Sequence, residues 1–267
     1  MFPHYLNLWG KQVSSHLAFE VLGYAIALGA YLVLRRRFGD HIAAPTRWSV
    51  VAGATAGGAI GAKLLFLLED PQLTIHNLHN AAYLAGGKTI VGALAFGLLF
   101  VEVLKKYIGL SQSTGDLYAI PLSLGIAVGR IGCFLTGLSD NTHGTRTSLP
   151  WAVDFGDGVP RHPTQLYEIA FLVALIPILY FVMLSISDEK DRDARTRFVC
   201  GDAFKVFMVA YMTFRLFCDF IKPYPRVFLG LGGIQWACLL VLLYYSKDVG
   251  RWLRLPGAQR WLRWKHA

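Results

Sequence analysis

Seven long apolar runs, at residues 17–34, 50–68, 89–104, 117–135, 166–184, 203–221 and 231–245, recur along this 267-residue chain with only short polar segments between most of them. Apolar residues make up 54% of the chain and charged residues 16%, more apolar sequence than an ordinary soluble core absorbs. At roughly 20 residues per span, seven membrane helices and their loops use the whole length. The expectation is an all-α polytopic membrane protein of seven transmembrane helices, a single domain over residues 1–267.

The polar remainder fits that frame. Residues 1–16 interleave Phe2, Tyr5, Leu6, Leu8 and Trp9 with polar side chains, which suits an interfacial segment rather than a span. They do not read as the start of a cleavable signal peptide. Residues 138–165 form a polar loop, and residues 188–197 a mixed-charge run that reads as a solvated loop. The tail, residues 248–267, alternates arginines with Trp252, Trp261 and Trp264, as expected of a basic interfacial segment. The net charge of +9 therefore points to topology and anionic lipid, not nucleic acid. Cys133, Cys200, Cys218 and Cys238 lack CxxC spacing and read as packing residues, so the sequence suggests no disulfide, metal site or cofactor.

Sixteen basic residues outside the runs fall on the side reached after odd-numbered spans and six on the other. By the positive-inside rule the N-terminus lies outside and the C-terminus in the cytoplasm, which an odd span count satisfies. Glu20, Lys63, Arg130, Arg215 and Asp219 then all lie in the outer half of the bilayer, level with the loop bearing Arg161 and His162. Each such charge costs at least about 2.5 kcal/mol to insert and turns to a bundle interior or a wet cavity. Two readings follow: a structural ion-pair network, or a pocket for a phospholipid headgroup, whose phosphate matches the arginine fork. His162, close to Arg161, Gln165, Tyr167 and Glu168, is a candidate general base or phosphate ligand. Thr164 is a candidate helix cap, Pro177 a candidate kink, and the Gly/Ala-rich second run predicts close helix approach.

The segments GRIGCF, RHPTQLYE and YMTFRLFCDF together resemble the prolipoprotein diacylglyceryl transferase family of bacteria, with similarity running from GAKLLFLLED to IQWACLL. The resemblance implies a multi-pass protein of the bacterial cytoplasmic (inner) membrane. Such a protein moves diacylglycerol from phosphatidylglycerol to a lipobox cysteine thiol of a preprolipoprotein, releasing glycerol phosphate. It implies that Arg130 and Arg215 hold the phospholipid and that Gly129, Gly132 and Gly144 are signature glycines. It also implies that His162, Gln165, Tyr167 and Glu168 form the RHPxQLYE motif, with Tyr211 and Asp219 flanking the second arginine. The departures are Val91 where the family has a histidine, Cys133 for an asparagine, Glu20 for a tyrosine, and Leu138 or Asp140 at a glutamate position. Alternatives from other classes are a paralogue that binds or handles anionic phospholipid or uses another acceptor, and a transporter. The transporter fits poorly, because no charge trail reaches the inner face.

Overall fold

The computed structural model describes residues 4–8, 11–40, 42–187 and 198–253; the run at 188–197 and most of the basic tail, 254–267, lie outside the described residues. Two strands, β1 (Tyr5–Leu8) and β2 (Lys11–Ser14), pair as an antiparallel hairpin before the first helix. The chain then runs through α1 (Ser15–Phe38), α2 (Ala44–Glu69), the short α3 (Pro71–His76) and α4 (Ala81–Ala85), and α5 (Ile90–Tyr107). After α6 (Asp116–Thr136), a polar loop holds β3 (Val153–Asp154) against β4 (Pro160–Arg161). It is followed by α7 (Thr164–Ser187), α8 (Asp202–Cys218), α9 (Gly233–Tyr244) and α10 (Ser246–Leu253). The protein is mostly helical, as expected of an all-α membrane protein, with two small hairpins added in its polar segments, where Gly and Pro interrupt helical periodicity.

Among the described residues, four helical segments are long and apolar enough to cross a membrane: Ser15–Phe38, Ala44–Glu69, Asp116–Asp140 and Thr164–Ser187. Helix α7 is apolar on every face, as a helix meeting both protein and lipid should be, and runs unbroken through Pro177. Leu28 and Val33 of α1, Ile60 and Leu68 of α2, and Val173 and Phe181 of α7 are all exposed. Such apolar faces suit hydrocarbon, and the whole fits a multi-pass membrane protein. Of the remaining predicted spans, α5 has 18 residues, α8 17 and α9 12.

The bundle is built from neighbouring pairs, α1 on α6, α2 on α5, α6 on α7, and α7 and α9 on α8. Its centre is Leu172 and Leu179 of α7, Phe207, Met208 and Met212 of α8, Val91 of α5 and Cys238 of α9. Lipid tails are as apolar as these side chains, so helix association rests on close van der Waals packing, and small residues permit it. At Gly92 of α5 an added Cβ would run into Gly61 O of α2 and stand 2.6 Å from Thr89 Oγ1 and 2.8 Å from Leu65 Cβ. Gly92→Ala should therefore push α5 off α2 at a cost of about 1–3 kcal/mol, read as a lower thermal midpoint of the detergent-solubilised protein. An unchanged midpoint would show that the two helices do not meet as described.

Candidate functional site

The polar side chains converge at one end of the bundle because of where they stand along antiparallel helices. Arg130 is late in α6, Glu168 early in α7, Tyr211 and Arg215 late in α8, and His16 and Glu20 early in α1. Spacing then selects the face. Tyr211, Arg215 and Asp219 recur every four residues and make one inward stripe, while Gln165 and Glu168 stand three apart on the inward face of α7. Pro163, with no N–H to leave unpaired, precedes the first residue of α7. Thr164 does not act as the expected cap; its hydroxyl donates to Thr142 O at 2.5 Å and ties α7 to the polar loop.

Glu168, 1% exposed, is the hub. Its Oε2 lies 2.9 Å from Arg130 Nε and 4.0 Å from Arg215 Nη1, and its Oε1 accepts a 2.6 Å hydrogen bond from Tyr211 Oη. The Arg130 contact is an ion pair, not a directed hydrogen bond, since the Nε–H lacks hydrogen-bond geometry to any acceptor. Arg215 Nη2 donates to Asp219 Oδ1 at 3.0 Å, and Lys222 Nζ stands 3.8 Å from the same oxygen. Arg130, Arg215 and Lys222 thus face Glu168 and Asp219 with one positive charge in excess, all five buried. Arg215 Nε in this cluster is buried without a hydrogen-bond partner, as is Gln165 Oε1 one turn before Glu168 on α7. Leaving such groups unpaired costs about 1–3 kcal/mol each, so the cluster is complementary to an anionic ligand that accepts a hydrogen bond.

The loop closes over this end. At Gly144 an added Cβ would lie 2.5 Å from His162 Cβ and 3.0 Å from Ile221 O, so only glycine lets the loop strand pass between His162 and the end of α8. His162 Nδ1 is 3.1 Å from Tyr167 Oη, which also accepts from Trp151 Nε1 at 2.8 Å. Tyr167, Phe171, Phe214, Phe217 and Ile221 line an apolar groove of about 580 Å³ between α7 and α8, beside this histidine. His143 is held below the ordinary histidine range by burial and by nearby Arg161, and its ring packs on Phe155.

Other sequence candidates are placed differently. Arg161 is engaged in a two-pronged pair with Asp157 at 2.6 and 2.7 Å, which holds that exposed carboxyl at about 2. Lys63 donates to Gly86 O and Gly87 O, and Glu20 pairs with Lys88 at 3.0 Å, so neither contacts the Glu168 cluster. A Cβ at Gly129 would meet open space, whereas one at Gly132 would lie 2.9 Å from Phe19 Cβ and 3.1 Å from His16 Cα. Gly132 is therefore the point where α1 reaches α6. The sequence reading assigned no role in the site to Lys222, which counted only as a loop cation; its signal was the three-residue spacing from Asp219. It also placed no weight on Gln235, which accepts from Arg226 Nη1 and donates to Leu216 O at 3.1 Å, bracing the end of α8.

Removing the hub tests the cluster. Glu168→Ala should strand Arg130 and Arg215 beside one another and cost roughly 3–5 kcal/mol of stability. Tyr211→Phe should cost only about 1 kcal/mol. Comparable losses in both variants, measured by thermal unfolding in detergent, would show that the carboxylate is not what compensates the arginines.

A family model of prolipoprotein diacylglyceryl transferases matches residues 12–246. Proteins named phosphatidylglycerol--prolipoprotein diacylglyceryl transferase are similar over much of the length. The Geobacter sulfurreducens protein is 31% identical over 247 residues, 86% of each chain. The Bordetella parapertussis protein is 33% identical over 213 residues, 77% of this chain and 70% of its own. The Cupriavidus metallidurans protein is 32% identical over 214 residues, 77% and 68% of the two chains. On the extent of these matches, this chain belongs to the prolipoprotein diacylglyceryl transferase family.

Proposed function

We propose that the protein is a phosphatidylglycerol-dependent diacylglyceryl transferase, moving diacylglycerol to a cysteine thiol of a preprolipoprotein. The observation that carries this reading beyond family membership is a buried cluster of Arg130, Arg215, Lys222, Glu168 and Asp219 that holds one excess positive charge and leaves Arg215 Nε without a hydrogen-bond acceptor. A phosphate supplies the missing acceptor and anion, and a glycerol headgroup supplies hydroxyl donors. Arg130 and Arg215 hold the phosphate and stabilise the charge that builds on it as the C–O bond breaks. Tyr211 and Glu168 fix the two guanidiniums, and the apolar groove beside Tyr167 receives an acyl chain. His162, hydrogen-bonded to Tyr167, stands at the loop side as the candidate base. Val91, fully buried among apolar side chains, contributes no proton transfer.

In this reading α5, α8 and α9 complete seven spans, with the cluster at the outer face, the N-terminus outside and the C-terminus in the cytoplasm of a bacterial inner membrane. The basic asymmetry of the loops supports that orientation. In a cell depleted of its own diacylglyceryl transferase, the protein should restore lipidation of a model prolipoprotein. Arg130→Ala and Arg215→Ala should each weaken phosphatidylglycerol binding by roughly thirtyfold or more, about 2 kcal/mol. Expressed, folded protein that binds phosphatidylglycerol without lipidating would instead identify a paralogue that handles the phospholipid, the reading that Val91 favours.

Lys222 adds a pH signature. Burial first, and the adjacent Arg215 second, push its ammonium down to about 8. It is charged below that value and neutral above it, and a bound phosphate stabilises the charged form. Affinity for phosphatidylglycerol should therefore be full below pH 8 and fall by up to about tenfold per pH unit above it. In Lys222→Met the profile should be flat across that window; an identical slope in the variant would assign the titration elsewhere.

A further inference from the structure

At the same end of the bundle, but on the α1 side of Arg130, three side chains from distant parts of the sequence meet. His16 Nδ1 lies 3.1 Å from Asp140 Oδ1 and 3.9 Å from Cys133 Sγ, and the ligand atoms of all three fall within 4.8 Å of one another. A tetrahedral zinc ion, with bonds of about 2.0–2.3 Å, sets its nitrogen, oxygen and sulfur ligands roughly 3.4–3.6 Å apart. The two His16 spacings, 3.1 and 3.9 Å, bracket that value, and the third stays within 4.8 Å. Asp140 takes hydrogen bonds from both His16 and Cys133 when the site is empty, and one cation at the centre would engage the same three atoms.

The surroundings match the usual support of a metal centre. Thr142 Oγ1 donates to Asp140 Oδ2 at 2.7 Å, orienting the ligand carboxylate. On the far side of the imidazole, His16 Nε2 makes an ion-pair contact with Glu20 Oε2 at 3.7 Å, placing a second carboxylate beside the ligand histidine. Glu20 is itself held by Tyr24 Oη and Lys88 Nζ, both at 3.0 Å. Arg130 Nη1 stands 3.6 Å from Cys133 Sγ, a cation beside the would-be thiolate. Cys133 is buried and the Asp140 side chain 12% exposed, but His16 is 36% exposed, so the cluster is covered on the protein side and open on the other. Three protein ligands and an open position are the layout of a catalytic rather than a structural zinc.

We infer that His16, Cys133 and Asp140 bind one zinc ion with an exchangeable fourth position, beside the phospholipid cluster and sharing Arg130 with it. Its use, which rests on the transferase reading, is activation of the acceptor thiol in place of His162 as base. A thiol entering the fourth position binds as thiolate and releases its proton to solvent. The sulfur then attacks the glyceryl carbon; a C–S bond forms, the C–O bond to phosphate breaks, and the electron pair leaves with glycerol phosphate.

The test uses the full chain in detergent, stripped with chelator and titrated with zinc or cobalt. One zinc per chain is expected, with a cobalt–thiolate charge-transfer band that Cys133→Ser abolishes. Zinc affinity should fall at least tenfold in Cys133→Ser, His16→Ala and Asp140→Asn and remain unchanged in Cys218→Ser. Zinc should also raise the thermal midpoint of the wild type but not of those three variants, each first shown to unfold cooperatively without metal. Because Glu20→Gln leaves all three ligands in place, its expected tenfold to hundredfold weakening keeps the inference testable even where a ligand variant fails to fold. Zinc uptake well below one per folded chain, or equal in all variants, overturns the site. Arg215→Ala should lose phosphatidylglycerol but keep zinc, so failure of the transferase reading leaves the metal result standing. A cobalt spectrum unmoved by a cysteine-containing peptide overturns the proposed use.

Discussion

A carboxylate buried between two arginines sets the terms for this fold. Glu168 contacts Arg130 from α6 and Arg215 from α8 and accepts from Tyr211, so three helices are registered by a single side chain. In a low-dielectric interior two guanidiniums repel strongly, and each charge carries a desolvation penalty of several kcal/mol. The network becomes tolerable only with every helix end at the right height. That is why α7 must begin where it does, with Pro163 outside the helix and Glu168 just within its second turn.

The helix ends can meet because small residues remove the obstacles. Gly132 admits α1 to α6 and Gly144 lets the loop strand slip past His162, each where a Cβ would strike a neighbour. The same economy of space leaves polar atoms that protein alone does not satisfy. Asp219 takes both Arg215 and Lys222, Tyr211 is consumed by Glu168, and Arg215 Nε and Gln165 Oε1 remain. The five buried charges of Arg130, Arg215, Lys222, Glu168 and Asp219 sum to one positive.

The departures from the family pattern become physically connected in the fold. Val91 has joined the apolar centre, far in character from the histidine that the resemblance leads one to expect there. Cys133 and Glu20, also departures, flank His16 from opposite sides, together with Asp140. Changes that look independent along the chain therefore fall into one cluster that touches Arg130. Its chemistry, a thiol, an imidazole and a carboxylate, differs from anything expected of an asparagine and a tyrosine at the same places.

The amino-acid sequence determined the helical character and the long apolar helices, because long apolar runs have few alternatives in a membrane protein. Spacing also made the inward stripe of Tyr211, Arg215 and Asp219 readable, and motif resemblance led to the correct family. Which charges pair was decided only by the tertiary structure. Glu20 turns to Lys88 and His16, Lys63 to backbone carbonyls, Arg161 to Asp157, and Lys222 joins the site from what reads as a loop. The N-terminal hairpin and the meeting of His16 with Cys133 and Asp140 were likewise hidden. Periodicity reports the face of one helix at a time, whereas the meeting of His16 with Cys133 and Asp140 depends on the heights and distances between segments more than a hundred residues apart in the chain.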